Sequence, residues 1–518
     1  MHRNIVFSLM AIASIGVVNA QTAPFELEKF KTQEVGLNSN NAALLNTVDF
    51  KNLGESSVFY KGASGAFKHP LVGEKSQYGG FQTARYQALK KWKFYGKFAL
   101  DFGKDKEVSN TTQLNPLRLN PFIIVDSLSG DWNKQNYDIA VKIASPILAD
   151  KFSFGLGLDY KVSTGARQRD PRPENTNNIL TVKPGATYLI DQNSTIGING
   201  LYQNFVEDFT VSNINTTTVH NMYKLIGVGE YIGSAPFFIS TGGITRRYEG
   251  NKFGAGLQYV LSHDQWRFAA DAFYNHNKEK AIDGTTYPQQ AGQHEYDEYG
   301  LNLEALWHAN TIQHRLDIGW IQQNIDNTEF HQYQDVISKE YITLFSNVFN
   351  TNLVTNANLN YSFVKYKGND LNWKWGANLA YAGWDNRYSV KESQQTVDRL
   401  TYGLNFKKYF NFANLSALSF AINPAYSQSI ESTFAYDEKA YSTNFVANNI
   451  LYPANDYLAA NYFTIAANLQ YVFKPSKNNT QVYIKVTENF IKPVENTDYF
   501  SKSQRRLDWQ LSVGLLTF

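Results

Sequence analysis

The stretch DKFSFGLGLDYKVST, residues 150–164, decides the fold class. From Phe152 every second residue is apolar: Phe152, Phe154, Leu156, Leu158, Tyr160 and Val162. Between them stand Ser153, Gly155, Gly157, Asp159, Lys161 and Ser163. Such alternation marks a strand with two unlike faces. Its apolar face meets either the core of a soluble sandwich or lipid.

The pattern recurs along the chain. Phe253, Ala255, Leu257, Tyr259 and Leu261 run into SHDQ (262–265) and return as Trp266, Phe268, Ala270, Ala272 and Tyr274. Similar hairpins turn at HANT (308–311), KGND (367–370), NFAN (411–414) and KPSKNN (474–479). These short turns, with Ala149–Lys151 and DQNS (191–194), alternate with long connections near 104–134, 165–178, 277–295, 325–350 and 431–459. Short turns on one side and long loops on the other are the signature of an outer-membrane barrel, with the turns in the periplasm. One place breaks the alternation: strands expected near 220–232 and 252–261 would run the same way. A short strand at FFISTGG (237–243) restores it. Counting strands near 56–67 and 78–89, the expectation is all-β: one large transmembrane antiparallel barrel of about 20 strands, range 18–22.

A secreted sandwich, solenoid or propeller would also alternate, but gives no reason for the short–long loop rhythm. Aromatics crowd the strand ends (Phe152 and Tyr160, Trp266 and Tyr274, Trp307, Trp320, Trp373), as interface girdles do. The terminal Phe518 is out of phase with Leu507, Trp509, Leu511, Val513 and Leu515, so a bulge shifts the register there or Phe518 points inward. Residues 1–20 read as a cleaved signal peptide, with Arg3 before an apolar run and Val18 and Ala20 before Gln21. Residues 21–55 form a periplasmic or lumenal segment, in which AALLNTVDF is a helix or an added strand; it is far shorter than the globular plug of an energy-coupled importer. Residues 56–518 form the barrel. The expected location is a Gram-negative outer membrane.

Composition narrows function mainly by exclusion. Of 518 residues, 18 % are charged and the formal net charge is +2, which gives no general pull towards nucleic acid. There is no cysteine, hence no disulfide framework, thiolate metal site or lipid-anchored Cys. The inward set is small, amide-bearing or charged, and suits water. Expected lumen-lining charges are Lys93, Lys97, Asp101, Asp138, Lys142, Asp159, Lys161, Arg267, Asp271, Arg315 and Asp317. Their mixed signs argue against a strongly ion-selective pore. Either they line a channel or they cross-link a closed, loop-filled interior.

Candidate chemistry is sparse. AGQHEYDEYG holds His294, Glu295, Asp297 and Glu298, with His276 near, but the spacing matches no defined metal motif, and a solvated acidic loop is the simpler reading. No metal, cofactor or catalytic residue is expected, although a hydrolase needs only a few rim residues. The loop GARQRDPRPENTNNILTVKPGATY (165–188) is the most distinctive. Arg167, Arg169 and Arg172 flank Asp170 there, either gripping an anion or pinning the loop by an Arg–Asp network.

That loop, with KKWKFYGKFALDF and NYDIAVKIA, resembles a family of uncharacterised outer-membrane β-barrels from Bacteroidota over nearly the whole mature chain. The resemblance implies fold and location, assigns no residue a role, and points to nutrient traffic, sometimes beside an energy-coupled importer. The working expectation is passive or accessory transport of a small polar solute. The alternative is a closed barrel presenting surface loops for binding or adhesion. Implied partners are membrane lipid and lipopolysaccharide, the barrel-assembly machinery and an energy-coupled outer-membrane importer, but not nucleic acid.

Overall fold

The structure, a computed structural model, describes residues 24–50, 52–214, 221–233, 243–412, 416–436, 444–473 and 480–518. Among the described residues, eighteen antiparallel wall strands each pair with their neighbours along the wall. The first, Asn52–Ser64, pairs with the last, Arg506–Thr517, so the sheet closes on itself. Closure leaves no unpaired edge, which is what a strand structure in lipid requires.

The strand Phe152–Arg167 shows why this sequence makes a wall of that kind. Phe154 and Leu156 point outward, 54 % and 40 % exposed, while Ser153 and Gly157 on the other face are buried. The same outward apolar set continues through Ile198, Leu257, Leu359, Leu404 and Val513. Phe152 and Tyr160 stand about eight residues apart, roughly 26 Å along a strand. At a tilt of about 40° this is roughly 20 Å of height, close to the apolar band of an outer-membrane barrel. Aromatic contacts ring the short-turn margin, as in Phe152–Tyr188 (5.1 Å between centroids), Trp266–Trp307 (6.3 Å) and Phe363–Trp373 (5.2 Å). The other margin carries Tyr202–Phe253 (5.2 Å) and Tyr274–Tyr299 (5.4 Å).

The count of 18 is the lower edge of the expected range, and the reason lies in one loop. The expected wall strand at 220–232 is instead two short strands, Met222–Leu225 and Tyr231–Gly233. With Ile124–Asp126 they make a separate three-stranded sheet inside the outer end of the barrel. Ser194–Ser212 pairs directly with Ile244–His263, so the two short strands add nothing to the wall and the up–down order is unbroken. The strand expected at 237–243 lies, apart from Gly243, outside the described residues, as does the expected signal peptide.

Most of the long connections are strand rather than loop. Phe152–Arg167 is separated from Arg172–Leu189 by four residues, Trp266–Asp283 from Gln289–Ala309 by five, and Ile312–Gln334 from Tyr341–Lys367 by six. Wall strands run from 12 to 27 residues, although about 9–11 suffice to cross a bilayer. The surplus stands above the apolar band as tall hairpins. Alternation continues there, but with polar residues on both faces, so a reading keyed to apolar alternation ends too early.

Candidate functional site

Two sets of residues fill the lumen, one at each end. At the short-turn end lies the segment before the first strand. It forms an α-helix, Glu26–Gln33, and a 3-10 helix, Ala42–Thr47, capped by the Asn41 side chain accepting from the Ala43 N–H at 3.0 Å. Phe25, Leu27, Phe30, Leu45, Val48 and Phe50 pack against inward Tyr86, Tyr366, Tyr409, Tyr483 and Leu516. Phe518 joins this cluster, so the terminal aromatic points inward.

The wall admits the 3-10 helix through missing side chains. A methyl group built on Gly155 would overlap the backbone of Ala42 and Ala43, and one on Gly185 would overlap the Asn41 amide. Asn41 Nδ2 donates to the Ala186 carbonyl at 3.0 Å and to Gln258 Oε1 at 2.9 Å.

Polar groups fasten the rest of the segment. Lys407 Nζ pairs with Glu28 at 2.7 Å, and the Tyr409 hydroxyl donates to the same carboxylate at 2.7 Å. Burial alone would raise the Glu28 pKa; the Lys407 charge and hydrogen bonds outweigh it and hold the carboxyl below its ordinary value. Glu34 pairs with Arg267, yet burial leaves its carboxyl above its ordinary value. Arg315 donates to the Glu34 carbonyl at 2.7 Å and pairs with Glu304 (2.7 Å) and Asp317 (2.9 Å). Lys142 donates to the Ser39 carbonyl at 2.7 Å, Ser39 donates to Asp271 at 2.6 Å, and Lys93 donates to the Val48 carbonyl.

Of the eleven charges expected to line the lumen, five therefore contact this segment directly: Lys93, Lys142, Arg267, Asp271 and Arg315. Others pair along the wall: Lys97 with Asp138 (2.7 Å), Asp101 with Lys61 (2.8 Å), and Asp159 with Lys183 (2.7 Å). Lys161 makes neither an ion pair nor a hydrogen bond among the described residues; it faces inward and is exposed. Asn356, Asn358 and Asn360 are likewise inward and exposed, so the mid-lumen is solvated. A cavity of about 360 Å³ opens between the inner segment and the wall, lined by Ser39, Asp271, Asn302, Glu304, Arg315, Asp317 and Asn358. Glu28 and Glu34 lay outside any strand pattern, and no sequence signal marked them as partners of the wall.

At the opposite end the long connections fold inward. The three-stranded sheet packs through Ile124 and Met222 on inward Phe209, Val211 and Ile244. Arg167, fully buried, pairs with Asp126 of that sheet and donates to the Pro171 carbonyl at 2.7 Å. Arg172 bonds Asp170 at 2.6 Å, and Arg169 donates to the Ser129 carbonyl at 3.1 Å. The four residues of the Arg-rich turn are thus brought together, and their hydrogen bonds go to the protein itself. Arg246 pairs with Asp283 at 2.9 Å (Nη2) and donates to the Phe122 carbonyl at 2.9 Å, and Arg118 pairs with Glu279 at 2.9 Å. A second cavity, about 440 Å³, lies among these loops.

The acidic stretch 291–300 is strand, not a solvated loop, and alternation divides its donors. Glu295 and Asp297 face outward beside His276, at 3.6 Å and 3.0 Å. His294 and Glu298 face inward, His294 bonding Asn327 at 2.7 Å and Glu298 pairing with Lys252 at 3.1 Å. No group of three metal-ligating side chains occurs among the described residues.

Several solved structures are similar in outline. The copper transporter OprC matches over 90 % of this chain and 82 % of its own, at 8 % identity and a TM-score of 0.38. The ferric preacinetobactin receptor BauA of Acinetobacter baumannii matches over 90 % and 80 %, at 8 % identity and 0.39. A FadL homologue of Pseudomonas aeruginosa matches over 92 % of each chain, at 10 % identity and 0.29. At these TM-scores the likeness carries no inference about what this barrel does. No functionally curated protein matches the sequence. The model of one family does match, over residues 42–518: from the wall-seated 3-10 helix to the closing strand, the chain belongs to the family of unknown function DUF6850.

Proposed function

We propose that this protein carries a small polar solute across a Bacteroidota outer membrane and rests closed, with its N-terminal segment as the inner gate. One observation carries the reading. A solvated, amide- and charge-lined lumen is occupied at the short-turn end by 27 residues, 24–50, which combine an apolar cluster around Phe25, Phe30 and Phe50 with polar fastenings to the wall. The polar fastenings exchange with water at small net cost, so undocking has chiefly to overcome the apolar cluster. The amides of Asn302, Asn356, Asn358 and Asn360 offer donors and acceptors to an uncharged hydroxylated solute. Lipid and lipopolysaccharide surround the barrel in this reading, the assembly machinery inserts it, and an energy-coupled importer is its neighbour. No catalytic residue is assigned.

Planar-bilayer recording tests it. The native chain is expected to show rare openings. A double variant, Arg315→Ala with Lys407→Ala, removes fastenings on the wall side and is expected to give stable conductance steps. Silence from folded, inserted double variant sinks transport. It would favour the other reading, a closed barrel that binds at its outer face, for which closure at both ends speaks.

A further inference from the structure

The outer cavity has a chemistry of its own. Its wall is largely apolar: Leu71, Leu117, Ile123, Val228, Ile450 and Leu451. Three cations, Lys68, Arg118 and Arg506, also line it, and among the described residues no carboxylate does. Arg118 is committed to Glu279 and Glu207. Lys68 donates only to the Val72 carbonyl, at 2.7 Å, and has no ion pair among the described residues. Arg506 reaches Asp508 through Nε at 3.1 Å, while its Nη1 is buried without a partner among the described residues. Trp384, on the same cavity, buries an indole N–H that also has none among the described residues. A buried donor left unmade is costly, and two at one cavity beside a lysine that has no ion pair among the described residues call for an acceptor. His69 beside them is neutral, because burial pulls its pKa down to about 4, so the positive charge rests on the lysine and the arginines.

We infer that the outer vestibule binds an organic anion with an apolar body and a single carboxylate, the carboxylate meeting Arg506 and Lys68 and the body lying on Leu71, Ile123 and Ile450. The volume, about 440 Å³, suits a ligand of drug size. The inner cavity carries Asp271, Glu304 and Asp317 against Arg315, and disfavours such an anion. The site is therefore one of capture or control at the cell-surface end, and it stands apart from the transport reading.

Titration calorimetry on the full chain in nanodiscs tests this with 2-naphthoate and its neutral analogue 2-naphthamide, against empty nanodiscs. Saturable naphthoate binding is expected, with the amide weaker by about tenfold or more, the factor a lost charge-assisted hydrogen bond supplies. Arg506→Gln and Lys68→Gln should each weaken naphthoate by about tenfold and leave the amide unchanged. Heat-modifiable gel mobility reports whether each variant is folded; if Arg506→Gln is not, the loop variant Lys68→Gln decides. Equal affinity for acid and amide, binding no greater than to empty nanodiscs, or naphthoate binding unchanged in the folded variants overturns the assignment.

Discussion

The two cavities of this barrel are made from opposite materials. The inner one is bounded by an N-terminal segment held through carboxylates, amides and carbonyls beside an apolar cluster, and its lining holds three acids and one arginine. The outer one is bounded by loops that carry apolar residues inward, and among the described residues its lining holds three cations and no acid. Both closures use buried charge, but differently. Outside, Arg167–Asp126 is fully desolvated under a packed sheet. Inside, Arg267 keeps 39 % of its side chain exposed and Glu28 33 %, while their partners Glu34 and Lys407 keep 12 % and 16 %, so these pairs are partly solvated. A desolvated pair has no water to replace a lost partner, whereas a partly solvated one does. On the proposed transport reading, the outer closure is the fixed end and the inner closure the yielding one.

The largest test of that contrast is Arg167→Leu. It strands Asp126 without its cation, and urea unfolding followed by gel mobility should show a loss of about 3–5 kcal/mol. A loss under about 1 kcal/mol would place the two ends in the same class. Next, Leu156→Arg on the lipid face of the strand that seats the inner segment should cost about 2–4 kcal/mol. Asp159→Asn, inward on the same strand, should cost little by the same assay. Wild-type stability of inserted Leu156→Arg protein would remove the lipid assignment.

Gly155→Leu is smaller in energy and sharper in meaning. The new side chain has nowhere to go but the space of Ala42 and Ala43. Overpacking costs about 1–3 kcal/mol, and the segment has a way out through the short-turn end. Raised conductance with outer-loop proteolysis unchanged is expected; unchanged conductance would mean that residues 24–50 do not gate.

The smallest effect is on pH. Glu28, held below the ordinary glutamate value of about 4.3, contributes docking that is complete above that value and lost only as pH falls through its own lower one. Glu34, raised by burial, binds its proton more tightly when docked, so its protonation favours the docked state. Conductance should thus stay closed or fall slightly from pH 7 to about 5, and rise only well below about 4. Opening already at pH 5–6 would contradict the Lys407–Glu28 fastening.

Much of the wall was legible because lipid imposes a strict rule on each strand. Phe152 to Val162 had to alternate, and the two-residue turns at Asp264 and Asn310 had to stay short. The two short strands Met222–Leu225 and Tyr231–Gly233 were not legible. Met222, Tyr223 and Leu225 are as apolar as wall residues, but they cover Ile124 and Ile123 inside the barrel rather than face lipid. Apolar residues look the same whether protein or lipid covers them. The split of His294 from Asp297 followed once the stretch was strand, since neighbours on a strand point apart.

The sequence by itself determined a closed antiparallel barrel with an apolar belt, because each strand must satisfy its own lipid face and each turn its own dihedral angles. The local pattern therefore carries the whole instruction. Only the tertiary structure decided what the inward residues do. Gly155 and Gly185, read along the chain, are small lumenal positions; folded, they are the seat of residues 41–43. Lys407 and Glu28 are separated by 379 residues, and Trp384 and Arg506 by more than a hundred, so no spacing could announce either pair. Closing the wall brings such groups together, and their chemistry exists only in that closure.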